Sequence, residues 1–153
     1  MMIQLSTNAF PAGGVIPKQF TCTGPDISPG LTWSAVPPGT QSIALIVDDP
    51  DAPAGTWNHW LLYNLPASVH ELSENQPRTP QLANGALQGR NDFGKTGYNG
   101  PCPPPGKPHR YFFRLYALDT NLDLKAGADR HTLESAMKGH IVGQGELMGT
   151  FGR

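Results

Sequence analysis

Ser42-Ile43-Ala44-Leu45-Ile46-Val47, stopped by Asp48-Asp49-Pro50, decides the fold. The run is too short for a buried helix, is rich in β-branched residues, and ends abruptly at a turn signal. It therefore reads as a strand buried on both faces. Working outward, His59 to Leu65 forms a second apolar and aromatic run, closed by Pro66. Arg110 to Leu118 forms a third, ended by Asp119. These three are expected at the centre of one sheet. Trp33 sits in a shorter extended segment ahead of the turn Pro37-Pro38-Gly39.

Near the C-terminus the period changes. Asp129 suits a helix N-cap, and Leu133, Ala136, Met137, His140 and Ile141 recur at helical spacing. The tail from Gln144 to Phe151 reads as a weaker helical turn interrupted by glycine. Between Asn75 and Pro108 lies a long polar stretch full of glycine and proline, and such a segment inside a compact domain is usually functional.

Length and composition bound the class. The 153 residues suit one domain, 1–153, with no internal repeat and no linker. Gly 18 and Pro 16 make about 22% of the chain, well above average usage but short of low-complexity disorder, and no collagen period is present. Charged residues are only 15% and the formal net charge is -1, so no basic nucleic-acid surface is expected. A mainly β, β-rich α+β domain with long shaped loops follows.

The first residues lack a basic, apolar signal pattern and no run reaches membrane-spanning length, so a soluble cytoplasmic protein is the expectation. Cys22 and Cys102 have no zinc-type spacing. Bridged, they would close a loop of about 80 residues and stabilise by roughly 4–5 kcal/mol in the chain-entropy model. In a reducing cytosol free thiols are the commoner outcome, with a bridge as the alternative.

Polar groups gather at the ends of the strong strands. Asp49-Pro50-Asp51-Ala52-Pro53 follows the first, Trp57-Asn58-His59-Trp60 enters the second, and Gly100-Pro101-Cys102-Pro103-Pro104-Pro105-Gly106-Lys107-Pro108-His109-Arg110-Tyr111 enters the third. In an extended segment His109 and Tyr111 share a face while Arg110 points away. Singly, an Asp before Pro is a turn residue and a His at a strand start is a solvated one. Together, beside proline-stiffened loops, they suggest a pocket.

These segments, with Ile27-Ser28-Pro29 and Leu31-Thr32-Trp33, resemble the phosphatidylethanolamine-binding protein family, also called Raf kinase inhibitor-like proteins, in its bacterial and archaeal form. The resemblance covers nearly the whole chain. It implies a central antiparallel sheet packed on a smaller one, with one or two short C-terminal helices. It also implies a non-enzymatic pocket for phosphate, acetate or a phosphoryl headgroup, built from Asp49, Asp51, Pro53, His59, Gly100, Pro101, Cys102, His109 and Tyr111. Asp49, His59, His109 and Tyr111 would line it, Gly100-Pro101 would supply wall and backbone N–H, and Ala52-Pro53 would be a cis peptide. Asn58 departs from the second His that eukaryotic members often carry, and the short tail removes the basis for gating by a longer terminal helix. Raf inhibition is not carried over.

Imidazoles and a phenol can donate to an anion, whereas the Asp49 carboxylate repels one, so Asp49 is expected to orient a His or to accept a proton or amine from the ligand. No resident metal or cofactor, no nucleic acid and no membrane insertion are expected. The protein partner is open, and a homodimer is compatible with the resemblance. The rival is an enzyme using His59, His109 and Asp49 as acid and base or as a 2-His-1-carboxylate metal site, although no HExxH, GxSxG or CxxC motif accompanies them. A third reading is a kinase or protease inhibitor in which the pocket is secondary.

One motif is refused. Gly89-Arg90-Asn91-Asp92-Phe93-Gly94-Lys95-Thr96 fits G-x-x-x-x-G-K-[ST], but no strong strand precedes it and Tyr98-Asn99-Gly100-Pro101 follows where a helix must begin. Calorimetry with ATP or GTP and magnesium is expected to show no binding; micromolar affinity would overturn the refusal.

Overall fold

The computed structural model describes residues 2–153. Its elements, in chain order, are β1 (Leu5–Ser6), a 3-10 turn (Lys18–Phe20), β2 (Leu31–Trp33), β3 (Ser42–Asp49), β4 (Trp57–Pro66), β5 (Glu71–Leu72), β6 (Leu87–Gln88), β7 (His109–Leu118), α1 (Arg130–Met137) and β8 (Ile141–Phe151). They form a five-stranded sheet in the order β6-β4-β3-β7-β8 and a three-stranded sheet in the order β1-β2-β5. All strand pairings within the two sheets are antiparallel.

The continuous apolar run is central because both of its faces are covered. Ile43, Leu45 and Val47 pack with Trp60, Leu62, Phe113 and Leu115 against the small sheet, in a core that includes Leu5, Leu31, Trp33 and Leu72. Ala44 and Ile46 point the other way, where Leu61, Tyr63, Leu118, Leu122, Leu133 and Met137 form a second core. Burying each large apolar side chain contributes roughly 1.5–3 kcal/mol. At the end of β3 the same alternation sends Asp48 and Asp49 to opposite faces.

Asp48 is buried on the helix side and held by Arg114 at 2.9 Å and Arg130 at 2.7 Å. Arg130 also donates to Asn58 Oδ1 at 2.9 Å. Two register shifts interrupt the pairing of β3 with β4, one between Ile43 and Leu45 and one between Val47 and Asp48. At the first, Asn64 adopts φ 56°, and its side chain ties down Leu122 through two hydrogen bonds. The second makes His59 the extra residue, because Val47 pairs with Trp60 and Asp48 with Asn58. A bulge reverses the face sense of the strand. His59 and Trp57 thereby reach the face occupied by Trp60, while Asn58 goes to the Asp48 side.

The helix begins as the sequence predicts, with Asp129 accepting from the Thr132 N–H at 2.8 Å, but it ends at Met137. His140 and Ile141 lie beyond it, after Gly139 at φ 84°. The expected helical turn at Gln144 to Phe151 is instead most of β8, paired along β7. Its inward positions are Gly143, Gly145, Leu147, Gly149 and Phe151, so the period of two is present but written in glycine. Glycine is needed for space: a Cβ on Gly145 would lie 2.3 Å from the Ile3 carbonyl oxygen, and one on Gly149 2.7 Å from Ile16 and Phe10. The N-terminal segment covers the outer edge of β8, with Ile3 N–H donating to Gln144 O and Ile16 N–H to Thr150 O, each at 2.8 Å. That contact protects a strand edge that would otherwise be open to pairing.

Two further expectations are corrected. Cys22 and Cys102 are bridged, with Cα atoms 5.3 Å apart across 80 residues of sequence. The fold brings the 21–24 loop beside Pro101, whose carbonyl accepts from the Cys22 N–H at 3.1 Å. The Ala52-Pro53 bond is trans, as are all peptide bonds among the described residues, and the turn closes through Gly55 N–H to Ala52 O at 3.0 Å. Among the described residues no helix is long and apolar enough to cross a membrane.

Gly145→Ala tests the close approach at the β8 edge. It is expected to destabilise by about 1–3 kcal/mol, the range of a core clash that backbone must relieve, read by urea unfolding. A change under about 0.5 kcal/mol, typical of a surface site, would show that the N-terminal segment does not seat there.

Candidate functional site

The bulge in β4, the end of β3 and the start of β7 converge on a cavity of about 340 Å³. Asp49, His59, His109 and Tyr111 line it, together with Pro53, Cys102, Ala52, Ala54, Trp57, Phe93, Pro103 and Pro104. A larger cavity of about 520 Å³ lies by the small sheet among Thr7, Phe20, Leu31 and Glu71, but no imidazole, phenol or cation lines it. Chemistry therefore favours the smaller one.

The hydrogen bonds assign the protons. His59 is 2% exposed and its Nδ1 lies 2.7 Å from the Asn99 carbonyl oxygen. A carbonyl only accepts, so Nδ1 carries the hydrogen and Nε2 is left for a ligand. Burial pushes the His59 pKa below its ordinary 6.5, against the opposing pull of the Asn99 hydrogen bond and the Asp49 charge. The imidazole is then neutral at neutral pH and Nε2 is an acceptor.

His109 is oriented in the same sense by a different partner. Its Nδ1 is 2.7 Å from Asp49 Oδ2, and Asp49 Oδ1 accepts the Asp51 N–H at 2.8 Å. Both carboxylate oxygens are engaged, and Asp49 holds a histidine in place. The Tyr111 hydroxyl is the exception to this order. It is buried with no partner in good hydrogen-bond geometry, and burial, then the charge and the nearby carboxylate of Asp49, raise its pKa far above 10. Tyr111 packs edge-on to His59 at 5.4 Å and stacked with His109 at 6.4 Å between ring centroids.

Three of the residues expected in the pocket lie outside its lining. Asp51 clasps Arg110 through two side-chain contacts of 2.9 Å and accepts the Arg110 N–H. The Arg110 guanidinium lowers the Asp51 pKa to about 2, so this carboxylate pins the 50–55 turn to the start of β7. Gly100 and Pro101 also stand behind the wall. The Gly100 N–H is taken by Asp26 Oδ1 at 2.8 Å and proline has none, so this pair offers no N–H to a ligand.

Sequence reasoning passed over Phe93 and Asn91. Asn91 is buried and organises the 90–99 loop: its Oδ1 accepts from the N–H groups of Phe93 and Lys95, and its Nδ2 donates to Gly97 O and Asn99 Oδ1. Two amides of the rejected phosphate-loop motif are thus turned onto a side chain, and those of residues 89–92 and Gly94 donate to backbone carbonyls. The loop presents Phe93 to the cavity, edge-on to Trp57 at 5.6 Å and to His59 at 5.3 Å. An Asn followed by tight-turn residues was the available signal, masked by the spurious motif. The described residues contain no group of three or more His, Cys, Asp or Glu placed to hold a metal ion.

Comparison with known proteins gives a consistent result. The family profile described as phosphatidylethanolamine-binding protein matches residues 6–152. A UPF0098 protein of Methanothermobacter thermautotrophicus is 50% identical over 151 residues, covering 99% of each chain. A UPF0098 protein of Aquifex aeolicus is 46% identical, over 99% of this chain and 90% of that one. Among solved structures, a phosphatidylethanolamine-binding protein homolog from Chlamydia trachomatis superposes with TM-score 0.90 at 43% identity, covering 99% of this chain and 98% of the other. Escherichia coli YbcL, described as a member of the mammalian family, gives TM-score 0.92 at 35% identity with the same coverage. With the profile spanning nearly its whole length, this chain belongs to the phosphatidylethanolamine-binding protein family.

Proposed function

We propose that this protein binds a small anion, a phosphate, carboxylate or phosphoryl headgroup, without turning it over. The observation that carries this reading is the buried, unpartnered Tyr111 hydroxyl set between two imidazoles whose Nδ1 atoms are already engaged. A buried polar group without a partner costs about 1–3 kcal/mol, which a ligand oxygen at that position would recover. Trp57, Phe93, Pro53, Pro103 and Pro104 supply a mostly apolar rim that strengthens each polar contact.

Neutral His59 cannot donate from Nε2. The ligand therefore either arrives with a proton, as a monoprotonated phosphate does, or binding draws one onto His59. The pH dependence separates the two. Proton uptake by His59 makes affinity highest below the pKa of the free imidazole and lets it fall as pH rises to that of the complex, whereas monoprotonated phosphate becomes more populated as pH rises and gives no such fall. Uptake is the route expected here. The Asp49–His109 hydrogen bond is also how a general base is oriented, which favours the enzymatic rival. Against it, no serine, threonine or free thiol lines the cavity beside that base. Regulation of a kinase or protease, a homodimer and a cytoplasmic location belong to the same proposal, although a bridged cysteine pair is commoner in oxidising compartments.

Two measurements test the reading. Phosphate affinity by calorimetry is expected to weaken steadily between about pH 5 and 8, with binding heats that depend on the buffer's ionisation; a flat profile counts against the proton logic. Tyr111→Phe is expected to raise the unfolding free energy of the empty protein by about 1 kcal/mol while weakening phosphate by about fivefold or more. Unchanged phosphate affinity in that variant would remove Tyr111 from the site.

A further inference from the structure

The cavity wall from Cys102 to Pro104 belongs to no strand or helix, and its position depends on attachments to distant parts of the chain. Pro101, Pro103, Pro104, Pro105 and Pro108 stiffen the segment by fixing φ, so it moves as a body rather than by local repacking. Its outer part is exposed and ends at Gly106, at φ 140°.

Two staples fix the body. The Cys22–Cys102 bridge ties the wall to the 21–24 loop, and Arg153 donates from Nε to the Pro103 carbonyl at 2.7 Å while its own carbonyl accepts the Gly106 N–H at 3.3 Å. At the base, the Cys22 N–H to Pro101 O contact and the Gly100 N–H to Asp26 contact remain in any redox state. Only one staple at the cavity itself is covalent and chemically reversible. Cys22 and Cys102 are both half-buried, within reach of a reductant, and Cys102 lines the cavity.

We infer that the Cys22–Cys102 bridge gates this pocket, with the oxidised form holding the wall against His109 and Tyr111 and the reduced form releasing it. The inference rests on the proposed ligand site. Reduction breaks the Sγ–Sγ bond: a dithiol donor supplies two electrons and two protons, becomes a disulfide, and leaves two cysteine thiols. The wall then keeps its proline stiffness but loses its registry with the other wall, and a pocket organised for only part of the time binds more weakly in proportion.

The test uses inorganic phosphate as probe and acrylamide quenching of Trp57 as a reading of the wall that needs no ligand. Trp57 lines the cavity and is half-buried, whereas Trp33 and Trp60 are 6% and 0% exposed, so Trp57 should dominate the quenching. Reduced protein is expected to bind phosphate about 3–10-fold more weakly than oxidised protein and to show a steeper quenching slope. The Cys22→Ser/Cys102→Ser double variant should match the reduced form and ignore the reductant. Arg153→Ala, with the bridge intact, should loosen the wall in the same direction. Affinity and quenching equal in both redox states, to within about twofold, would overturn the gate. If reduction unfolds the protein, the Cys22→Ala/Cys102→Ala variant held below its melting temperature decides, and quenching equal to that of the oxidised protein in that variant overturns the gate. Failure of oxidised protein to bind phosphate defeats the binding proposal, while the quenching comparison still decides whether the bridge controls the wall.

Discussion

Burial of β3 on both faces is the constraint on which the rest of the structure depends. A strand with no solvent face needs a layer on each side, which the small sheet supplies on one and α1 with the 119–129 loop on the other. Strand alternation then separates the two carboxylates at its end. Asp48, facing the helix layer, is neutralised by Arg114 and Arg130, while Asp49, facing the other way, becomes the anchor of His109. Leaving either buried carboxylate without its cationic or hydrogen-bonding partners would cost several kcal/mol, so the strand end is defined electrostatically as well as by packing.

The site is made by one irregularity imposed on that regular frame. Without the bulge in β4, simple alternation would send His59 to the Asp48 side and Asn58 into the cavity. With it, His59 joins Trp57 in the cavity, and Asn58 joins Arg130. Asn58 therefore falls on the opposite face from the proposed ligand. Loop interactions finish the job: Asn91 shapes the 90–99 loop, Asn99 sets the His59 tautomer, and the Asp51–Arg110 clasp holds the opposite rim.

Much of this was legible in the sequence. The three central strands, the N-cap at Asp129 and the gathering of Asp49, His59, His109 and Tyr111 followed from apolar patterning, capping chemistry and motif resemblance. β8 was not, because its inward positions are mostly glycine: the hydrophobic signal vanishes where two backbones must touch. Asp51 lies outside the cavity lining because Arg110, at the start of the neighbouring strand, claims both its oxygens, which sequence spacing cannot show. Gly100 also lies outside the lining, its amide taken by Asp26, a residue 74 positions away. The disulfide joins segments 80 residues apart, a distance over which nothing local announces contact.

In the proposed site His59 stands neutral, its proton on Nδ1, beside the Tyr111 hydroxyl, and takes up a proton when an anion enters. Nitrogen-15 NMR of the histidine side chains at neutral pH, with and without saturating phosphate, reads this directly. The account predicts an unprotonated Nε2 on His59 in the free protein, moving toward a protonated or strongly hydrogen-bonded state when phosphate binds. A proton on Nε2 in the free protein, or side-chain signals of His59 that ignore bound phosphate, would contradict it.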